Sequence, residues 1–405
     1  MDIDEQIRTL TAGAVHVISE DDLRRKLSLG VPLRVKLGID PTASDIHLGF
    51  AVVLRRLRLF QDAGHVAVLI LGDFTAQVGD PSGRSATRPR LSKEAVDAHA
   101  ATYVDQVRQI LDPDPSRLEI RRNSEWLGAM GIEEVLRLAS RTTVARMLER
   151  DDFAKRYAVG APISVMELLY PLLQGWDSVV VRADIELGGT DQLFNLLVAR
   201  QLQEHEGQEP QIVLTTPLLE GLAGGAKMSK SLDNYVGIAE DPGVQFGKLM
   251  SIPDDLVPMY LRYTTGWGPD RASEVIAALA AGTLHPAAAK RLLGRTVADL
   301  YHGPGAGEAA EAEFDRVFRE HRPPTDVPEV RLDAGPVPDG SIRLSRVLTL
   351  AGLVASNREG ARKIAEGGVR IDGEVVNDPD IEYRPSDLAG RLVQVGRRAW
   401  ARIVE

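Results

Sequence analysis

The chain has 405 residues, 44% hydrophobic and 26% charged, an ordinary globular composition with enough length for two or three domains. It has no cysteine, which excludes disulfides, a thiolate zinc site and a cysteine nucleophile. A net charge of −10 argues against nucleic-acid binding by the surface as a whole, though a local basic patch remains open.

Residues 1–32 read as a leading helix and connector. The acidic start MDIDEQIRTL lacks the apolar core of a signal peptide, and no apolar run approaches membrane-spanning length, so a soluble cytoplasmic protein is expected. Leu33, Val35 and Leu37 then alternate with Arg34 and Lys36, the period of a half-buried strand. GIDPT breaks the pattern as a loop, and Asp45 is expected to cap a helix over 46–60 that Gly64 closes. Strand, polar loop and helix start together offer free backbone N–H groups and partial positive charge to a phosphate. His47 and Gly49 fall in the first turn: an imidazole there can donate to a polyphosphate oxygen, and the missing Cβ leaves room for a flat base.

Further strand candidates, VAVLILG, LEIRRN and IVLTTPLLEG, alternate with helical runs over 92–111, 132–149, 164–175 and 190–206. This alternation predicts an α/β fold with a Rossmann-like, doubly wound, mostly parallel sheet and ligands at the carboxyl ends of its strands. The glycine-rich GLAGGA run precedes Lys227-Met228-Ser229-Lys230-Ser231, a pliable loop whose two lysines can clamp an anion. Past 242 the strand signals vanish and Ala-rich helices take over; 323–340 is rich in Pro and Gly and reads as a linker. In the final stretch SIRLSRVLTLAGLVAS and REGARKIAEGG read as helices, and VRIDGEVV as strand–turn–strand with Asp372-Gly373 at the turn. From Ile342 onward there are eleven Lys/Arg against nine Asp/Glu, a basic contrast to the rest that points to an anionic partner. The expected division is 1–236, 237–322, a linker at 323–340, and 341–405. Histidines outside the first motif (His16, His65, His99, His205, His285, His302 and His321) show no metal-ligand spacing, and no protein-held metal is expected.

DPTASDIHLG near the start and KMSKS past the midpoint, in that order, form the signature pair of class I aminoacyl-tRNA synthetases. With GDFTAQVGDPSGR at 72–84, LLYPLLQGWDSV at 168–179, ELGGTDQLFNLL at 186–197 and the terminal module, the chain resembles bacterial tyrosyl-tRNA synthetases nearly end to end. The resemblance implies activation of tyrosine by ATP with Mg2+, transfer to tRNA, a helical anticodon-binding domain at 237–322, a terminal RNA-binding module and a homodimer. It also implies roles residue by residue. Thr42, His47, Arg84, Lys227 and Lys230 would face the phosphates. Asp191 would hold the ribose, with Asp40, Gly49, Gly189, Met228 and Ser231 as further nucleotide contacts. Asp80, Tyr170 and Gln174 would take the substrate ammonium, Asp177 the phenolic proton, and Gln192 would lie near the reacting carboxylate. Tyr170, Gln174 and Asp177 stand at i, i+4 and i+7, one helix face, although Pro171 implies a kink or a late helix start.

Two residues depart from the family pattern. Phe50 stands where a second histidine is usual, and a phenyl ring cannot hydrogen-bond a phosphate. Lys36 stands where many relatives carry a tyrosine that binds the substrate phenol; as a donor, Lys36 is expected to take over that contact. Two rival readings are an adenylating paralogue with a non-tRNA acceptor and a non-catalytic RNA-binding regulator. The retained terminal module argues against the first, and intact His47, Lys227 and Lys230 against the second.

Overall fold

A computed structural model of the chain describes residues 2–42, 45–82, 92–332, 340–396 and 399–404. It divides into two compact units, Met1–Pro304 and Gly305–Glu405. In the first, the strands β1 (His16–Ile18), β2 (Arg34–Ile39), β3 (Val66–Leu71), β4 (Leu118–Arg122), β5 (Ile185–Gly189) and β6 (Ile212–Thr216) form one sheet in the order β1-β6-β5-β2-β3-β4. Strands β2 to β6 run parallel, and β1 lies antiparallel on the edge against β6. Both faces are covered, as parallel sheets require. On one, Val35, Leu37, Leu69 and Leu71 share a core with Leu54 and Leu57 of the helix Leu48–Asp62. On the other, Val68 and Ile70 pack with Val181, the last residue of the helix Val165–Val181. This is the doubly wound architecture expected.

The strand order reverses at β2. The chain steps outward through β3 and β4, then begins again at β5 on the other side of β2. Segments leaving the carboxyl ends of β2 and β5 therefore diverge, and a crevice opens between them.

Several sequence expectations are corrected. The helix after β2 is Leu48–Asp62, with His47 rather than Asp45 as its cap. His47 is still extended and bridged to Gly237, with the bonds Leu48 N–Val236 O and Ile238 N–Ile46 O on either side, so the helix cannot begin at 46. Pro171 does not delay its helix, which starts six residues before it, at Val165. Ser164 and Glu167 form a reciprocal cap, and the helix runs on through Pro171 to Val181. The run 132–149 is two helices, Ile132–Ala139 and Val144–Met147, because Thr143 caps the second afresh. Strands β1 and β5 were absent from the expected set: β1 is three residues long, and β5 ends in two glycines that carry no alternation. Strand β2 is buried on both faces, not one, and Lys36 is fully enclosed.

Helices Pro242–Met250, Val257–Thr264 and Pro286–His302 contribute Leu249, Tyr260, Leu261, Leu293 and Val297 to the same core as β2 and β3. No break in the core separates them from the sheet, and the first unit ends at 304, before the 322 expected for a helical domain. In the second unit, β7 (Glu329–Arg331), β8 (Ile342–Arg343), β9 (Val369–Ile371), β10 (Glu374–Val376), β11 (Glu382–Tyr383), β12 (Leu392–Val395) and β13 (Ala399–Val404) form a five-stranded sheet, β10-β9-β12-β13-β7, and a two-stranded one, β11-β8. Leu348 and Ile364, from the helices Leu344–Leu350 and Asn357–Ala365, pack against Val369, Val393 and Ile403. Asp372 and Gly373 turn β9 into β10 with φ of 50° and 89°, as their identities demand. The stretch read as a linker supplies β7, which pairs parallel with β13; three residues without periodicity carry no strand signal. Among the described residues no helix is long and apolar enough to cross a membrane.

The helix bearing Tyr170, Gln174 and Asp177 is held against the helix Leu193–His205 at Gly175. A Cβ there would lie 2.9 Å from Leu202 Cδ1 and 3.1 Å from the Ala199 backbone, so the close crossing requires glycine. Gly175→Val is expected to cost about 2 kcal/mol, overpacking outweighing the helix-propensity gain. A lower urea midpoint at unchanged slope checks this.

Candidate active site

A cleft of about 330 Å³ opens at the switch point. The end of β2 and its following loop supply Asp40 and Thr42, the helix start His47 and Gly49, and the β5 end Gly188, Gly189, Asp191 and Gln192. Tyr170, Gln174 and Asp177 enter from one helix face, Asp80 from the segment after β3, and Lys227 and Met228 from the loop after β6. Thirteen predicted residues thus line one cavity: Asp40, Thr42, His47, Gly49, Asp80, Tyr170, Gln174, Asp177, Gly189, Asp191, Gln192, Lys227 and Met228. Arg84 lies outside the described residues. Lys230 and Ser231 are not among the lining residues. Lys230 Nζ sits 3.5 Å from Asp45 Oδ2 and 5.9 Å from the centre of the Tyr235 ring, and Ser231 is hydrogen-bonded to Ser229 at 2.8 Å.

Three carboxylates lie deep in the cleft, each surrounded by donors. Asp40 accepts from Thr75 Oγ1 at 2.7 Å and from the Tyr170 hydroxyl at 2.9 Å. The approach is close enough that a Cβ on Gly72 would overlap both Asp40 and Thr75. Asp177 accepts from Trp126 Nε1 at 2.8 Å and Asn123 Nδ2 at 3.3 Å. Asp80 accepts from Gln192 Nε2 at 2.8 Å and from Ser82 Oγ at 2.6 Å, and Arg150 in turn donates to Ser82 Oγ at 2.7 Å. Burial pushes the carboxyls of both Asp40 and Asp177 up to about 7. Hydrogen bonds from Thr75 and Tyr170 hold Asp40 back, and the Lys36 charge does the same for Asp177. Burial also raises the Tyr170 phenol well above its ordinary value, so Tyr170 remains a donor.

At the mouth the chemistry is cationic. His47 Nδ1 accepts from Phe50 N at 3.3 Å as the helix cap, so the proton of the neutral ring is on Nε2. Burial, then the Lys230 and Lys227 charges, lowers His47 to about 4; the ring stays neutral and keeps one donor free to face an anion. Lys227 Nζ bonds Asp191 Oδ2 at 2.8 Å, and Gly49 N donates to Met228 Sδ at 3.3 Å. Gly224 and Gly225, both with φ of 76°, let the preceding loop turn sharply enough for Lys227 to reach Asp191.

Lys36 does not reach the cleft. Its ammonium is spent on Glu186 Oε1 at 2.8 Å, Ser178 Oγ at 2.8 Å and the Gln174 carbonyl at 2.9 Å, so the expected contact with a substrate phenol is corrected. Asp191 is not a helix cap; it lies in a 3₁₀ turn, Thr190–Gln192, ahead of the helix Leu193–His205. Phe50 lines the cleft beside Gly49. Sequence reasoning missed Thr75, Ser82, Asn123, Trp126, Arg150 and Glu186, which hold the lining residues in place. Asn123 had a usable signal, since it follows the strand LEIRR at its carboxyl end.

The chain is similar to known proteins over nearly its whole length. The family model described as tRNA synthetases class I (W and Y) matches residues 28–319, and the S4 domain matches 342–388. The tyrosine–tRNA ligase of Moorella thermoacetica is 47% identical over 99% of this chain and 96% of its own, and that of Deinococcus radiodurans 48% over 99% and 97%. In fold the chain is similar to the tyrosyl-tRNA synthetase of Archaeoglobus fulgidus solved with L-tyrosine: TM-score 0.63, 24% identity, 76% of this chain and 99% of that one. The switch-point cleft, the HLG helix start and the KMSKS loop thus sit in a chain that belongs to the class I aminoacyl-tRNA synthetases, in the tyrosine–tRNA ligase family that carries a C-terminal S4 domain.

Proposed function

We propose that this chain activates L-tyrosine with ATP and transfers it to the 3′ end of its tRNA. What supports the reading is one cleft lined both by a neutral imidazole donor with Lys227 beside it and by three carboxylates, Asp177 buried and Asp40 and Asp80 half-buried. The mouth suits a polyphosphate; the depth suits an ammonium and a phenol. The tyrosine carboxylate attacks the α-phosphorus, a new P–O bond forms, the bond to the β-phosphate bridge breaks, and pyrophosphate leaves. No protein nucleophile is needed, only positioning and stabilisation of developing charge. A terminal ribose hydroxyl of the tRNA then attacks the acyl carbon, losing its proton as AMP departs.

In this reading Thr42, His47 and Lys227 receive the phosphates of MgATP, the magnesium entering with the substrate, and Lys230 joins when its loop moves. Asp191 takes the ribose, with Asp40, Gly49, Gly189, Met228 and Ser231 around the nucleoside. Asp80, Tyr170 and Gln174 take the ammonium, Asp177 the phenol, and Gln192 the reacting carboxylate. The S4 domain engages the tRNA, and the cytoplasm, where tRNA resides, is the site of action. A homodimer belongs to the same reading: the stretch 132–165 leaves Ile132, Leu136, Val144, Tyr157, Val159 and Val165 exposed, more apolar surface than one short segment of a monomer ordinarily shows.

Amino-acid-dependent ATP–pyrophosphate exchange across all twenty amino acids, paired with tRNA charging, tests the reading. Tyrosine alone is expected to support both. Lys230→Ala should lower the exchange rate about a hundredfold or more with the fold retained, and near-normal exchange in that variant would refute the clamp. A carboxyl accepts fully from the substrate phenol only after losing its proton. With Asp177 raised to about 7 by burial in the empty protein, kcat/KM for tyrosine should therefore fall as pH drops below that value. A flat profile from pH 8 down to about 5.5 would contradict the assignment. Sedimentation equilibrium is expected to give twice the chain mass, reverting to one chain in Leu136→Asp.

A further inference from the structure

Lys36 and Glu186 are register partners on the adjacent parallel strands β2 and β5, facing the side of the sheet that helix Val165–Val181 covers. Both are fully buried. Each ammonium proton of Lys36 has its own acceptor: Glu186 Oε1, Ser178 Oγ and the Gln174 carbonyl. Glu186 is similarly engaged. Ser178 Oγ is 3.0 Å from its Oε2, Gln211 Nε2 bonds the same oxygen, and Gln174 Nε2 lies 3.5 Å from its Oε1. The other end of that amide, Gln174 Oε1, accepts from Asn195 Nδ2 at 2.9 Å, and Asn195 also donates to Gln192 Oε1 at 3.0 Å.

Every bond from the pair to the helix lands on residues 174–178, the turn that carries Gln174 and Asp177 into the cleft. A buried ion pair is a poor source of stability, because desolvation offsets the attraction; its best-attested use is to fix one arrangement. Here the arrangement fixed is the rotation and height of one helical turn, and the orientation of the Gln174 amide. Loss of either partner would leave a buried charge alone.

We propose that Lys36 and Glu186 are a positioning pair for amino-acid selection: without touching substrate, they set Gln174 and Asp177 in place. This rests on the reading above that Gln174 and Asp177 face tyrosine. Burial raises the Asp177 carboxyl, the Lys36 charge offsets part of that, and the Glu186 charge adds to it.

The test replaces the pair by apolar side chains of similar volume, Lys36→Met with Glu186→Leu, in the full-length protein; Ser178→Ala, which cuts the hydroxyl bonds between the pair and the helix and leaves both charges together, serves if the double variant does not fold. Exchange kinetics are read with tyrosine, phenylalanine and ATP varied in turn. The expected result is a KM for tyrosine raised about tenfold, a KM for ATP within about twofold, a reduced preference for tyrosine over phenylalanine and, in the double variant, which loses the Lys36 charge, an acidic limb of kcat/KM displaced to higher pH. A tyrosine KM and pH profile indistinguishable from those of the unaltered protein would overturn the proposal. Asp177→Asn separates the two levels. If it leaves the tyrosine KM unchanged, the underlying site reading fails. If it raises KM while the pair variant does not, only the positioning role fails.

Discussion

Asp40, Asp80 and Asp177 line one cleft, where burial works against ionisation of Asp40 and Asp177 and the neighbouring carboxylates add to the effect at Asp40. The fold meets that constraint with donors drawn from separate parts of the chain: Thr75 and Tyr170 for Asp40, Trp126 and Asn123 for Asp177, Gln192 and Ser82 for Asp80. No two of these carboxylates lean on the same donor set, so each can be tuned separately. The cluster holds its geometry in the empty protein, and a cationic ligand entering it meets preformed partners rather than a collapsed pocket.

The sheet explains why the cluster and the segments bearing Thr42 and His47 meet. Reversal of strand order between β2 and β5 directs the β2 loop and helix start one way and the β5 end the other. Between them lies a floor reached by side chains from helix Val165–Val181. Chemistry needing an anion site and a cation site within a few ångströms suits this junction, because helix starts and strand ends converge there.

Much of this was legible in the sequence. Thirteen cleft residues follow from motif identity, and the parallel sheet from the alternation of apolar runs with helical ones. The remainder depended on tertiary context. Lys36 reads as the wet side of a half-buried strand, since nothing local reveals that Glu186, far along the chain, stands beside it on the next strand. Asp45 is a sound helix cap by type, yet the pairing of 46–48 with 236–238 moves the start to His47. Pro171 reads as a break because its missing N–H is a local fact, whereas the cap at Ser164 and the anchoring of 174–178 that sustain the helix are not.

The Lys227–Asp191 bond carries a consequence for which nucleotides the cleft can hold. With Asp191 assigned to the ribose and Lys227 to the phosphates, the empty protein joins the two groups that a nucleotide must separate. ATP supplies a replacement for each partner, hydroxyls for the carboxylate and phosphate oxygens for the ammonium. Adenosine supplies only the first and strands the lysine. Under the proposed roles the bond would couple recognition of the two ends of the nucleotide, by no more than about 1 kcal/mol because Lys227 is 42% exposed.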